Sequence, residues 1–180
     1  MCILIPINTF KGIFIMRKHI IITTLSVLGL LLGGCSNSIT DMQSRGYDDD
    51  SFLADDSCSY TYAERLGNVT SDSVDLQFKG FTGNDYIWYL TADETSEFSL
   101  DYSFDVEKGN FKIIEITPDK EVITLWENLD DATAEGTLNI DVEEGTSLIK
   151  IVGKKAKGDI QINATSNQEV QIIVPNVPDV

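Results

Sequence analysis

A chain of 180 residues, 42% of them apolar, has room for one globular domain once any targeting segment is set aside. All 29 acidic residues follow Gly34, whereas Lys11, Arg17 and Lys18, three of the 13 basic ones, precede it, so everything from Cys35 onward is strongly anionic. Such a surface repels phosphate backbones and excludes nucleic acid as a partner.

The single histidine, His19, also lies before Cys35. The remainder therefore lacks the imidazole that Ser-His-Asp and Cys-His centres, HExxH zinc sites and most transition-metal sites depend on. Three cysteines are present; Cys2 and Cys35 fall in or at the end of the leader, which leaves Cys58 alone and no internal disulfide framework. No catalytic residue, cofactor or metal is expected.

In chain order, Arg17-Lys18-His19 form a basic start, Ile20 to Leu32 an apolar run of 13 residues, and Gly33-Gly34 a small pair before Cys35. These are the parts of an export signal, and the run falls short of the roughly 20 residues a bilayer-spanning helix needs. Leu32-Gly33-Gly34-Cys35 resembles the lipobox of bacterial lipoproteins. That resemblance implies that residues 16–34 are a signal peptide and that Cys35 carries the lipid and begins the mature chain. It further implies that the protein sits on the extracytoplasmic face of the cell membrane, with membrane lipid as its first partner. Residues 1–15 (MCILIPINTFKGIFI) precede a signal already complete from Met16. They read either as an upstream extension, with Met16 the initiator, or as an unusually long leader.

Residues 35–56 are polar and acidic without apolar periodicity, and are expected to form a disordered tether with a reach of about 25 Å. The run Asp48-Asp49-Asp50 is read as solvated charge, because adjacent side chains diverge while calcium loops alternate their ligands. From residue 57 the period becomes two. Tyr60 and Tyr62 suggest an edge strand, Val74, Leu76 and Phe78 a second, and Tyr86 to Leu90 a third that is apolar on both faces. Phe98, Leu100, Tyr102, Phe104 and Val106 alternate with Ser99, Asp101, Ser103 and Asp105, predicting a strand with one buried face. A turn at 105–110 is expected to return the chain as a hairpin through Phe111 to Thr117.

Pro118-Asp119-Lys120-Glu121 predicts the next turn, Val122 to Trp126 a strand, and Leu138, Ile140 and Val142 another. Ser147 to Val152 and Ile160 to Ala164 are expected to flank a lysine-bearing loop at 153–158. The domain is thus placed at 57–164, with 165–180 a C-terminal tail in which Val170 to Val174 adds a strand that Pro175 and Pro178 stop. About eight short strands separated by turn residues predict an all-β fold, an antiparallel β-sandwich of jelly-roll type. Residues 98–164 also resemble a small exported module of Gram-positive bacteria, with an alternating strand, a glycine turn, the Pro118-Asp119-Lys120 bend and a late Val152 to Ile162 segment. That resemblance implies a β-sandwich and no settled function.

The reading of function is a membrane-anchored, non-catalytic interaction or structural domain. The alternative is a carbohydrate or envelope-polymer binding module, in which Trp88 and Trp126, aided by Tyr86, Tyr89 and Tyr102, form a platform for sugar rings; the other reading of the two tryptophans is packing in the core of the sandwich. Asp130, Asp131 and Glu135 are the best-placed calcium candidates but lack the alternating pattern of a calcium loop. Lys154, Lys155 and Lys157 are expected at a solvated hairpin tip, with an anionic polymer or headgroup as the sharper possibility.

Overall fold

The computed structural model describes residues 35–128, 132–165 and 169–175. The expected signal peptide and upstream extension, Asp130, Asp131 and the end of the tail therefore lie outside the described residues. By backbone contacts the chain divides into two units, Met1–Ile39 and Thr40–Val180, and the fold is that of the second. Helix α1 (Cys35–Arg45) includes the last residues of the first unit; within the second it is followed by a 3-10 turn (Gly46–Asp48) and the short helix α2 (Asp50–Leu53). Eight strands follow: β1 (Ser59–Thr61), β2 (Glu64–Val69), β3 (Ser73–Ala92), β4 (Ser96–Ile116), β5 (Val122–Glu127), β6 (Ala132–Val142), β7 (Gly145–Ala164) and β8 (Val170–Ile173).

Three of these strands run for 20 or 21 residues, and their partners change halfway along. Residues 73–79 of β3 pair with β2 on one side and residues 157–163 of β7 on the other; these pair with 100–106 of β4, and β6 closes the edge. We call this the front sheet. The second halves form the back sheet: β1 and β8 line one edge of 82–92 of β3, followed by 145–153 of β7, 111–116 of β4, and β5. All pairings are antiparallel. The order β2-β3-β7-β4-β6 facing β3-β7-β4-β5 is that of a jelly-roll sandwich.

The predicted alternation is visible in the burial. Phe98, Leu100, Phe104 and Val106 point inward with Val74, Leu76, Phe78, Ile160 and Ile162 of the front sheet. They meet Ile87, Trp88, Leu90, Phe111, Ile113, Ile149 and Ile151 of the back sheet in one core. Phe78 stacks on Phe111 at 5.2 Å between ring centroids and Phe104 meets Trp126 edge-on at 4.8 Å, so aromatic rings bridge the two layers.

The expected hairpin at 105–110 is not one, and the loop at 153–158 and the break between Phe78 and Tyr86 are likewise parts of continuous strands. At each place the strand crosses from front sheet to back through register shifts, between Val106 and Asn110 and between Lys79 and Gly83. Gly109 (φ +78°), Gly80 (+66°), Gly83 (+105°) and Lys155 (+57°) supply the left-handed residues that these bulges need. A Cβ on Gly109 would lie 2.5 Å from the Lys155 carbonyl oxygen, so the crossing is built around its absence.

The second departure concerns the tether. The stretch is helical, and from Gln43 on it lies across the outer surface of the back sheet. Tyr47 and Leu53 are buried with Ile114, Ile116, Leu148 and Val152 in a second apolar cluster, flanked by Phe52, Tyr86, Tyr89 and Val122. Lys150, fully buried, donates to the carbonyls of Leu53 (2.9 Å), Asp55 (2.7 Å) and Ser57 (3.2 Å) and sits 4.8 Å from the centre of the Tyr86 ring. Burial pushes its ammonium pKa down. Gln43 bonds Ser59 and Thr61 of β1, and Tyr47 donates to Glu127 (2.9 Å). Asp49, in the aspartate run, caps α2 by accepting from the backbone N–H groups of Ser51 and Phe52. A few large side chains and one lysine 95 residues away therefore order a segment whose composition reads as solvated.

Candidate functional site

The two outer faces of the sandwich differ. The back face is occupied by residues 43–57. Over the front face, among the described residues, no other element lies: β3, β7 and β4 are its central strands, and the odd-numbered residues of each point outward. Every one of those positions is polar, as the alternation that buries the even-numbered residues requires.

Register arranges these side chains in rungs across the strands. Leu66, Gln77, Asp159, Asp105 and Thr133 form one rung from β2 to β6, and Glu64, Lys79 and Lys157 lie in the next. Asn163, Asp101 and Thr137 form a third. Neutral donors from neighbouring strands hold the carboxylates: Gln77 Nε2 donates to Asp159 Oδ1 (2.6 Å), Thr137 Oγ1 to Asp101 Oδ1 (2.6 Å) and Thr133 Oγ1 to Asp105 Oδ1 (3.3 Å). Ser99 donates to Asn139 at 2.8 Å on the same face.

Toward the crossing, the face opens into a cleft of about 250 Å³ lined by Glu64, Gln77, Lys79, Glu107, Lys157 and Asp159, with Phe78 and Gly158. Phe78 and Gly158 are register partners; the Phe78 ring points into the core, so both contribute backbone to the floor. A Cβ on Gly158 would come within 2.3 Å of the Asp105 carbonyl oxygen, and glycine lets the strands close beneath the cleft. Lys157 pairs with Glu107, whose hydrogen bond pushes the lysine pKa up. Lys79 and Glu64 face each other in register but make no ion pair.

The residues expected to form an aromatic platform fall in three separate places, with Trp126 beside Tyr102 (6.4 Å between ring centroids), Tyr86 beside Tyr89 (5.7 Å) and Trp88 apart from both. Trp88 has no exposed area and its Nε1–H donates to the Thr70 carbonyl (2.6 Å), so it is a core residue and cannot stack on a ligand. Trp126 is half-buried against Phe104, Phe111 and Tyr102. Tyr86 and Tyr89 lie beneath the N-terminal segment. The expected lysine tip is dispersed along β7: Lys154 lies near the Tyr47 ring, 6.0 Å from its centre, Lys155 occupies the crossing, and Lys157 lines the front cleft. Glu135 is exposed on β6, and among the described residues no group of acidic, cysteine or histidine side chains is arranged to hold a metal. Cys35 is the first residue of α1.

Three further ionisable groups, Asp85, Glu115 and the half-buried Cys58, are set into the fold for structural reasons. Asp85 accepts from Tyr62 Oη (2.9 Å) and lies 3.7 Å from Arg65 Nε, tying the link between β1 and β2 to the sandwich, and burial pushes its carboxyl up. Glu115 is buried in the back sheet with Oε1 unpartnered; burial raises its pKa, the Ser147 hydroxyl works against the shift, and Glu143 and Asp141 add to it. Burial pushes the Cys58 thiol up to about 12, which removes it as a nucleophile at neutral pH.

No protein-family model matches the sequence, and no curated protein matches it. Among solved structures, the chain is similar to a family 35 carbohydrate binding module from an environmental isolate. The likeness has 15% identity and a TM-score of 0.33, covering 66% of this chain and 82% of that one. It is also similar to murine APRIL, at 12% identity and a TM-score of 0.31, covering 59% of this chain and 95% of the other. At these scores neither likeness bears on what this chain binds.

Proposed function

We propose that the protein is a lipid-anchored, extracytoplasmic recognition module without a catalytic centre, and that it presents the outer face of its front sheet to a hydrophilic partner in the cell envelope. The anchor rests on Leu32-Gly33-Gly34-Cys35 and the basic and apolar segments before it. The recognition reading rests on one observation: one face of the sandwich is covered by residues 43–57, while among the described residues no element covers the other, which carries carboxylates held in fixed orientations by Gln77, Thr133 and Thr137. An envelope polymer bound there is held by hydrogen bonds rather than by ring stacking, because Trp88 is inside the core.

The test is retention of the mature lipoprotein on isolated envelope polymer. Gln77→Ala with Asp101→Ala should lose retention and keep the wild-type melting temperature. Retention unchanged in that variant overturns the assignment of the face. The anchor is tested by mass spectrometry of the mature N-terminus, where a diacylglyceryl Cys35 is expected and cleavage at any other position refutes it.

A further inference from the structure

The front cleft has a charge pattern that points to its ligand. Lys79 and Lys157 are direct register partners across β3 and β7, and Asp159 and Asp105 are direct partners across β7 and β4, two residues farther along the same sheet. Like charges placed directly opposite each other in a sheet are destabilising, and here a cationic doublet and an anionic doublet occupy neighbouring rungs. Glu107 offsets the Lys157 charge, whereas Lys79 has no ion pair among the described residues. Asp159 and Asp105 are held by the neutral donors Gln77 and Thr133, which fix the carboxylates without cancelling their charge.

Two residues along a strand is about 6.6 Å. A ligand that relieves both doublets must carry an anion and a cation at about that separation. An extended dipeptide spans about 6.6 to 7.2 Å, and a body of that size fits an open cleft of about 250 Å³. We propose that the cleft binds a zwitterionic, dipeptide-sized ligand, with its carboxylate between Lys79 and Lys157 and its ammonium on Asp159, which lines the cleft and has Asp105 beside it in the same rung. The inference rests on the reading of the front face as the recognition surface and names the chemistry of one end of it. Gly158 lets β4 and β7 close beneath the cleft, so its floor is strand backbone and the ligand backbone lies against it.

The experiment is titration of the mature lipoprotein in detergent with Ala-Ala, N-acetyl-Ala-Ala and Ala-Ala amide, followed by calorimetry and by amide chemical shifts. Uncapped Ala-Ala should bind, and each cap should weaken binding about tenfold or more, the loss of one charge-assisted contact. Lys79→Met should abolish the penalty for C-amidation while leaving that for N-acetylation, and Asp159→Asn should do the reverse; both positions lie on the sheet surface. Equal binding of capped and uncapped peptides, or no shift at Lys79, Lys157 and Asp159 with any of them, overturns the inference. If envelope polymer is still retained through Gln77 and Asp101 in that case, the recognition face stands and only the cleft ligand falls. If retention is also lost from the face, both fall.

Discussion

Replacing Lys150 by Met tests whether the N-terminal segment belongs to the fold. Methionine keeps an unbranched apolar stem beside Tyr86 and Val152 and removes the ammonium. Three carbonyls lose their donor, but not equally: Asp55 and Ser57 are exposed and recover water, whereas the bond to Leu53 is buried and its oxygen is left orphaned. An orphaned buried acceptor costs about 1 to 3 kcal/mol, and each re-solvated one about 0.5 to 1.5 kcal/mol. Relief of the lysine's own desolvation returns part of this, since burial already holds its pKa down. The net expectation is a loss of about 2 to 4 kcal/mol in urea unfolding. Limited proteolysis should show cleavage near residues 54–58 well before the sandwich is cut. Wild-type stability together with wild-type protease resistance in that loop would refute the clamp and return the segment to a tether.

Acidification gives a second expectation with a definite sign. Asp85 and Glu115 have carboxyl pKa values raised by burial, so the native state binds those protons at higher pH than the unfolded chain does. Stability therefore rises as pH falls from neutral toward about 4, the ordinary carboxylate range. The exposed Asp49, Asp55 and Asp72, whose pKa values are lowered by hydrogen bonds, withdraw stability only below that range. The melting temperature at pH 5 should exceed that at pH 7, and Glu115→Gln should shrink the difference; a decline from pH 7 to pH 5 contradicts the assignment. In the core, Phe104→Ala should cost about 3 to 5 kcal/mol, while Asp101→Asn on the outer face should cost under about 1 kcal/mol, and equal losses would remove β4 from the core. At the crossing, Gly109→Ala should cost about 1 to 3 kcal/mol because of its positive φ and the Lys155 carbonyl, whereas Gly136→Ala, which meets only the movable Tyr102 ring, should be close to neutral.

What the sequence determined by itself was the strands and their inner faces. Alternation over Phe98 to Val106 depends on backbone pleating alone, and pleating is local, so the residues it marked as inward are inward in the sandwich. The β-sandwich class follows from the same signal repeated along the chain. The doubly apolar run at Tyr86 to Leu90 was also legible, though not its cause, which is the N-terminal segment lying over the outer side of the back sheet.

Only the tertiary structure decided whether a glycine turns the chain back or bends it onward. Gly109 has the same positive φ in a bulge as it would in a hairpin, and the difference lies in whether β7 is present to pair with both sides. Only tertiary structure, likewise, separated Trp88 in the core from the half-buried Trp126 and ordered Tyr47 and Leu53 against a lysine far along the chain. The front cleft was illegible for the same reason. Polar alternation marked Gln77, Lys79, Lys157 and Asp159 as outward-facing, but which of them stand opposite one another is set by register between distant strands, and register is a property of the folded sheet.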